Sequence, residues 1–154
     1  MGASGPPGPA GTTGQTAQTA FGTGTVVAGP SFALVPGLSL TVDVPAGSKA
    51  YISTDGGLVN PSSASSSSST DVVVLVDGNQ PATGFYRRIF CLNPPTANTA
   101  SCTWSMSGVP SLTTGSHTIT VQVIQVGGSA LAATVSGNSA SVNQGELSVL
   151  VLKG

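Results

Sequence analysis

The chain has 154 residues, of which four are Lys or Arg and five are Asp or Glu, giving a formal net charge of -1. This length accommodates one domain and at most an arm, and the lack of a basic cluster excludes a nucleic-acid surface, whose affinity comes mostly from neutralised phosphates. No apolar run approaches the roughly 20 residues needed to cross a bilayer.

The first feature in chain order is "GASGPPGPAGTTGQT", which directly follows Met1. It places glycine at every third position: Gly2, Gly5, Gly8, Gly11 and Gly14. This is the collagen pattern, because only glycine fits at the crowded axis of three wound chains. We therefore predict a collagen-like triplet arm over residues 1–16, about 45 Å long when extended. A flexible Pro/Gly leader is the alternative.

So short an arm requires another part of the chain to hold three arms together. Five triplets offer little interchain bonding to offset the entropy of bringing three chains together, so a trimeric neighbour has to hold their ends. We predict a polar linker over residues 17–25, "AQTAFGTGT", followed by a head domain over residues 26–154.

The head reads as a series of short strands. "LSLTVDV" (residues 38–44) alternates with the period of two expected of a half-buried strand, and the β-branched run "DVVVLV" (residues 71–76) is typical of a strand buried on both faces. Turns are predicted at "PAGS", "DGG" and "DGN", and further strands in "KAYIST", "GFYRRIFCL", "CTWSMS", "HTITVQVIQV", "ALAATVS" and "ELSVLVLKG". Roughly nine or ten strands predict an all-β, jelly-roll-like antiparallel β-sandwich.

One segment of the head is unusually rich in serine. "PSSASSSSST" (residues 61–70) lacks the apolar side chains that would order it, so we predict an exposed loop. O-glycosylation of this loop is an alternative role. Loops 56–70 and 93–101 are the predicted contact surfaces if the head binds a receptor.

The two cysteines, Cys91 and Cys102, lie eleven positions apart with a Pro-rich loop between them. We predict a disulfide that joins two strand ends, with free thiols as the alternative. Such a bond persists in oxidising surroundings, which indicates an extracellular or surface location. No CxxC pair or His partner stands at the spacing of a zinc site.

Catalysis requires titratable groups that converge, and the sequence offers few. The one histidine, His117, opens a Thr-rich strand and is predicted to be a strand-entry residue bonded to the backbone. No GxSxG motif surrounds a serine. Asp43 is predicted on the polar face of a strand, and Asp55 and Asp77 in turns, where aspartate bonds the backbone. We expect no catalytic residue, cofactor or metal, with calcium held by turn carboxylates as the alternative.

Aromatic and basic residues complete the set of candidate positions. Trp104 is predicted to pack in the core near the disulfide, with a sugar-stacking platform as the alternative. Phe85 and Tyr86 are neighbours in a strand, so one of them points outward and can contribute to a subunit interface. The pair Arg87 and Arg88 indicates a solvated face or an inter-subunit contact rather than an anion site.

The triplets "GASGPPGPAGTTGQT", followed by an all-β domain that ends in "GSHTITVQV…GELSVLVLKG", resemble bacterial and phage collagen-like proteins. In that family, triplets are joined to a head similar to the complement-type or tumour-necrosis-factor-like jelly roll. The resemblance implies a trimeric head that sets the register of the triple helix and presents loops for adhesion or assembly. It supplies no catalytic residues.

These observations favour a non-enzymatic structural protein at a cell, spore or virion surface. The expected partner is the chain itself, as a homotrimer that caps a surface fibre or stacks head-to-tail into a filament. The alternative is the receptor- or carbohydrate-binding tip of a phage tail fibre or spore-surface hair, whose partner is a surface glycan or receptor.

Overall fold

The computed structural model describes residues 15–61, 63–81, 84–128 and 133–153. These residues form ten strands and no helix, which confirms the predicted all-β class. The strands are β1 (Thr16–Phe21), β2 (Val26–Val27), β3 (Ala33–Val44), β4 (Lys49–Asn60), β5 (Ser67–Val76), β6 (Tyr86–Leu92), β7 (Ala100–Gly108), β8 (Gly115–Gly128), β9 (Thr134–Val135) and β10 (Glu146–Leu152). Most of the predicted triplet arm, with its five in-phase glycines, lies outside the described residues.

The strands pair antiparallel in two sheets. In sheet A, β10 lies between β1 and β4, and β7 pairs with the opposite edge of β4. The short strand β9 pairs with β4 on the same edge as β10, nearer the end of β4, and β2 pairs with β9. Sheet B has the order β3-β8-β5-β6. The chain crosses between the sheets six times, from β2 to β3, β3 to β4, β4 to β5, β6 to β7, β7 to β8 and β8 to β9. A six-stranded and a four-stranded antiparallel sheet packed in this way form a jelly-roll-like sandwich, as predicted.

The strand directions divide the loops between the two ends of the sandwich. The end at which β1 begins, here called the arm end, carries Thr16 together with residues 45–48, 77–81, 84–85 and 109–114. The opposite end, here called the distal end, carries residues 22–25, 63–66, 93–99 and 136–145.

The core lies between the sheets and follows the alternation of each strand. On β3, Leu38, Val42 and Val44 are buried while the intervening polar residues are exposed, as the pattern of "LSLTVDV" predicts. The apolar face of β8 is likewise fully buried, at Ile119, Val121 and Val123. The prediction for β5 is also confirmed, because Val72, Val73, Val74 and Val76 are all buried.

Residues 16–21 form a strand where the sequence predicts the last residue of the arm and the start of a linker. β1 pairs with β10 from Thr16↔Val151 to Phe21↔Glu146, six registered pairs in all. The segment is polar because much of it is exposed, while one edge of its backbone pairs with β10. The described head therefore begins at Thr16 rather than at Val26.

The serine run is a strand over much of its length, so the predicted exposed loop over 61–70 is wrong from Ser67 onward. β5 begins at Ser67 and pairs with both β6 and β8. Ser68 and Thr70 point into the sandwich and are fully buried, because the period of two of a strand alternates the residues between faces whatever their polarity.

The predicted "DGG" turn is also wrong, since residues 55–57 lie inside β4. A Cβ on Gly56 would lie within 2.3 to 2.4 Å of the Trp104 indole, so glycine is needed here for close packing rather than for a turn. The "DGN" turn is confirmed: Asp77 and Gly78 have φ of 51° and 77°, and Val76 and Asn79 exchange backbone hydrogen bonds.

Candidate functional site

Loops at the arm end enclose a pocket of about 550 Å³, here called the loop pocket. It lies between the loop that follows β5 and the loop that joins β7 to β8. Its floor is apolar and buried, at Val76 and Phe85. Its wall and rim include Asp77, Asn79, Gln80, Pro81, Ser107, Pro110, Ser111, Thr113 and His117. A volume of this size falls within the range of small-molecule sites.

His117 joins the two loops that enclose this pocket. Its Nδ1 lies 2.7 Å from Oδ2 of Asp77, and its Nε2 lies 2.8 Å from the carbonyl oxygen of Thr113. The other carboxylate oxygen of Asp77 accepts a hydrogen bond from the Thr118 N–H at 2.8 Å. We call this arrangement of Asp77, Thr113 and His117 the histidine clip.

The histidine clip requires a protonated imidazole. A carboxylate and a backbone carbonyl both accept hydrogen bonds, so both ring nitrogens have to carry a proton. In agreement, the bonds to Thr113 and then to Asp77 raise the pKa of His117. The pKa of Asp77 is lowered, mainly by its bond to His117 and next by the Thr118 N–H. The clip is therefore an ion pair held by a backbone carbonyl.

This geometry confirms the prediction that His117 is a strand-entry residue bonded to the backbone. Its Nε2, the atom that a catalytic histidine presents to a nucleophile, is occupied by the Thr113 carbonyl. The opposite charges of the clip neutralise each other at the pocket wall. The remaining rim of amide and hydroxyl groups over an apolar floor suits noncovalent contact with a neutral, hydroxyl-rich molecule.

A second charged cluster lies on the outer face of sheet B, and the sequence analysis missed it. Asp71 on β5 is fully buried, and Arg88 on β6 binds both of its carboxylate oxygens, at 2.7 and 2.8 Å. The Tyr86 hydroxyl donates a third hydrogen bond at 2.5 Å. The Arg88 bond lowers the pKa of Asp71 despite its burial, and Asp71 raises the pKa of both Tyr86 and Arg88.

The charge of Arg88 is thus paired within the fold, whereas Arg87 is exposed and donates a hydrogen bond to the Tyr86 carbonyl. The predicted solvated face applies to Arg87. The expected split between Phe85 and Tyr86 is confirmed, with Phe85 in the core and Tyr86 half-buried against Asp71. The sequence does contain a signal for the Asp71 cluster. A charged residue directly before an apolar run that is buried on both faces needs a partner from a neighbouring strand.

The predicted disulfide is present at the distal end. Cys91 on β6 and Cys102 on β7 are bonded, with their Cα atoms 5.9 Å apart, so the bond joins sheet B to sheet A. Trp104 lies two residues further along β7 and is 2% exposed, with its Nε1 donating to the Thr54 hydroxyl. This burial confirms the core interpretation and removes the sugar-stacking alternative.

The loops predicted as contact surfaces meet at the distal end. The Ala64 N–H donates to the Asn98 side chain, and the Ser65 N–H donates to the Pro94 carbonyl. Asn93 binds the backbone of both loops. Of the loops predicted over 56–70 and 93–101, the described residues outside strands are 61, 63–66 and 93–99, because residues 56–60, 67–70 and 100–101 belong to strands.

The carboxylates do not converge on a cation site. Within the described ranges, no group of three or more His, Cys, Asp or Glu residues has the arrangement of a metal site. Asp43 is exposed on β3, as predicted. Asp55 and Glu146 are opposed across β4 and β10, and partial burial, then the charge of Glu146, raises the pKa of Asp55. The same part of the chain contains no helix able to span a membrane.

Comparison with known proteins yields little. No protein-family model matches the chain, and no curated protein matches it. Among solved structures, the chain is similar to one in the structure of black queen cell virus, at 13% identity over 91% of this chain and 68% of that chain, with a TM-score of 0.20. A TM-score this low carries no argument about fold or function.

Proposed function

We propose that this protein is a non-enzymatic structural subunit whose head forms a homotrimer and nucleates a short collagen-like triple helix, building or capping a surface fibre. The supporting observation is the way the arm joins the head. The last in-phase glycine, Gly14, stands two residues before Thr16, which is already paired in sheet A. A triplet arm joined directly to a rigid sheet is suited to transmit the register set by the head.

The surface of the head also supports an assembly role. Phe90 and Leu92, both on β6, are 63% and 57% exposed. Exposed apolar patches on a soluble domain are typical of protein contacts. The ion pair of Asp71 with Arg88 is already neutralised within the chain, so covering it leaves neither charge unpaired.

The proposal is tested with the full chain by light scattering, negative-stain microscopy and circular dichroism. We expect a trimer at micromolar concentration and a polyproline-type signal that Gly8→Ala abolishes while the β signal persists. Gly29→Ala is the matched control, because a Cβ there meets nothing within 4 Å. A monomer at micromolar concentration overturns the trimer, and long fibres select the filament form.

The second candidate is the receptor- or carbohydrate-binding tip of a fibre. It is favoured by the convergence of residues 63–66 and 93–99 at the end of the head opposite the arm. A glycan array and a cell-binding assay with the full chain test this candidate. Asn98→Ala removes one of the bonds that join the two loops and is expected to reduce binding. An unaltered protein that binds neither glycans nor cells removes the candidate.

A further inference from the structure

We propose that the head contacts its two neighbouring copies through the arm-end edge of the sandwich, where β1 and β10 of sheet A face β3 of sheet B. We call this surface the axis edge. Its partner is a second copy of this chain, and the contact is charged, between Asp43 of one copy and Lys153 of the next. This inference rests on the proposed function, since it assumes three wound arms.

The first step is that the arm joins the head without slack. Thr16 pairs with Val151, and the Gln15 side-chain carbonyl accepts a hydrogen bond from the Lys153 N–H at 2.6 Å. These two interactions hold Gln15 and Thr16 against the end of β10. Glycine is required at the axis of a triple helix because the three chains are in close contact there. Three arms wound up to Gly14 therefore bring the three copies of Thr16 close to one axis.

The second step is that this requirement selects one surface of the head. Thr16 lies at the outer edge of sheet A, since β1 pairs with β10 and is terminal in the strand order. β3 is the terminal strand of sheet B, and its end packs near β1. The side formed by these two strands at the arm end has to face the axis, and the side formed by β6 and β7 faces away.

The third step is the shape of the axis edge. A cleft of about 150 Å³ opens there between the two sheets. Its floor is formed by Val42, Val149 and Val151, each at most 2% exposed. Its rim carries Thr16, Gln18, Asp43, Pro45 and Lys153. The edge thus combines an apolar floor with one acidic and one basic side chain.

The fourth step is the placement of those two charges. Asp43 belongs to sheet B and Lys153 follows the last strand of sheet A, so they stand on opposite sides of the cleft. Within the described residues, neither forms a salt bridge in its own chain. In a threefold ring, the sheet A side of each axis edge faces one neighbouring copy, and the sheet B side faces the other. Asp43 of one copy therefore faces Lys153 of the next.

The test is a charge swap in the full chain, read by sedimentation over a dilution series. We expect Asp43→Lys and Lys153→Asp each to weaken the trimer about tenfold, because like charges then face each other, and the double variant to recover the unaltered affinity. Asp55→Lys, on the outer face of sheet A, is the matched control and should leave the affinity unchanged. Thermal unfolding of each variant separates lost contact from lost folding.

The outcomes distinguish this inference from the proposed function. Single swaps that leave a trimer of unchanged affinity overturn the axis edge while the trimer stands. Single swaps that weaken the trimer without recovery in the double variant also overturn the pairing of Asp43 with Lys153. An unaltered chain that sediments as a monomer overturns the proposed function itself.

Discussion

The histidine clip predicts that the stability of the head falls as the pH rises through the pKa of His117. Above that pKa the ring keeps one proton, so the bond either to Asp77 or to the Thr113 carbonyl is lost. Asp77 and Thr113 are both exposed, so water can solvate whichever of them loses its bond, which limits the penalty. For a domain of this size, the loss of one such bond lowers Tm by no more than about 3 °C.

The sign of the effect follows from the direction of each pKa shift. The pKa of His117 is raised in the folded state, so its stabilisation is fully present below the ordinary value of about 6.5 and is lost as the pH rises through the folded pKa. The pKa of Asp77 is lowered, so its contribution is present above the ordinary value of about 3.9 and is lost as the pH falls through the folded pKa. The clip therefore stabilises the fold most in mildly acidic solution.

The assay is thermal unfolding from pH 5 to 9, comparing the unaltered chain with His117→Gln and Asp77→Asn. We expect both variants to lose most of the pH dependence, because the amide of Asp77→Asn can donate to a neutral imidazole. Since His117 is the sole histidine, ¹⁵N NMR reports its two ring nitrogens without ambiguity. A neutral imidazole at pH 6, or parallel pH profiles for all three proteins, would refute the reasoning.

Three further perturbations test other parts of the structure. Gly56→Ala should destabilise the head by about 2 kcal/mol in urea unfolding, because the new methyl group overlaps a buried indole, and Gly29→Ala should be neutral. Asp55→Asn should stabilise it by up to about 0.5 kcal/mol at pH 7 in the same assay, with the gain vanishing as the pH falls through the raised pKa of that carboxyl. Arg88→Met should lower Tm by several degrees, since it leaves a buried carboxylate unpaired, whereas Arg87→Met should not; equal effects contradict the cluster.

The parts of the fold that the sequence predicts are those in which apolar residues alternate with polar ones. "LSLTVDV" and "HTITVQV" carry their buried face in the pattern itself. The strands that the sequence pattern does not predict are polar. β1 and the first residues of β5 consist largely of Thr, Ser, Gln and Ala, and their conformation is set by pairing partners that are distant in the chain.

The candidate site was foreseen only in part. The backbone bond of His117 follows from its place at the start of a strand, but its partners Asp77 and Thr113 come from loops 40 and 4 residues away. The short-range signals at "DGG" and "DGN" are nearly identical, yet only the second is a turn. Residues 55–57 pair with residues 103–105 of β7, and sequence spacing does not report that pairing.

The pairing of β1 with β10 determines how the head responds to mechanical load. A pull on Thr16 along the axis of β1, resisted at the distal end, loads all six registered pairs of the strand in shear at once. A pull that separates Thr16 from its neighbour Val151 instead peels the strand away one pair at a time. The head therefore resists force applied at Thr16 well along β1 and poorly across it.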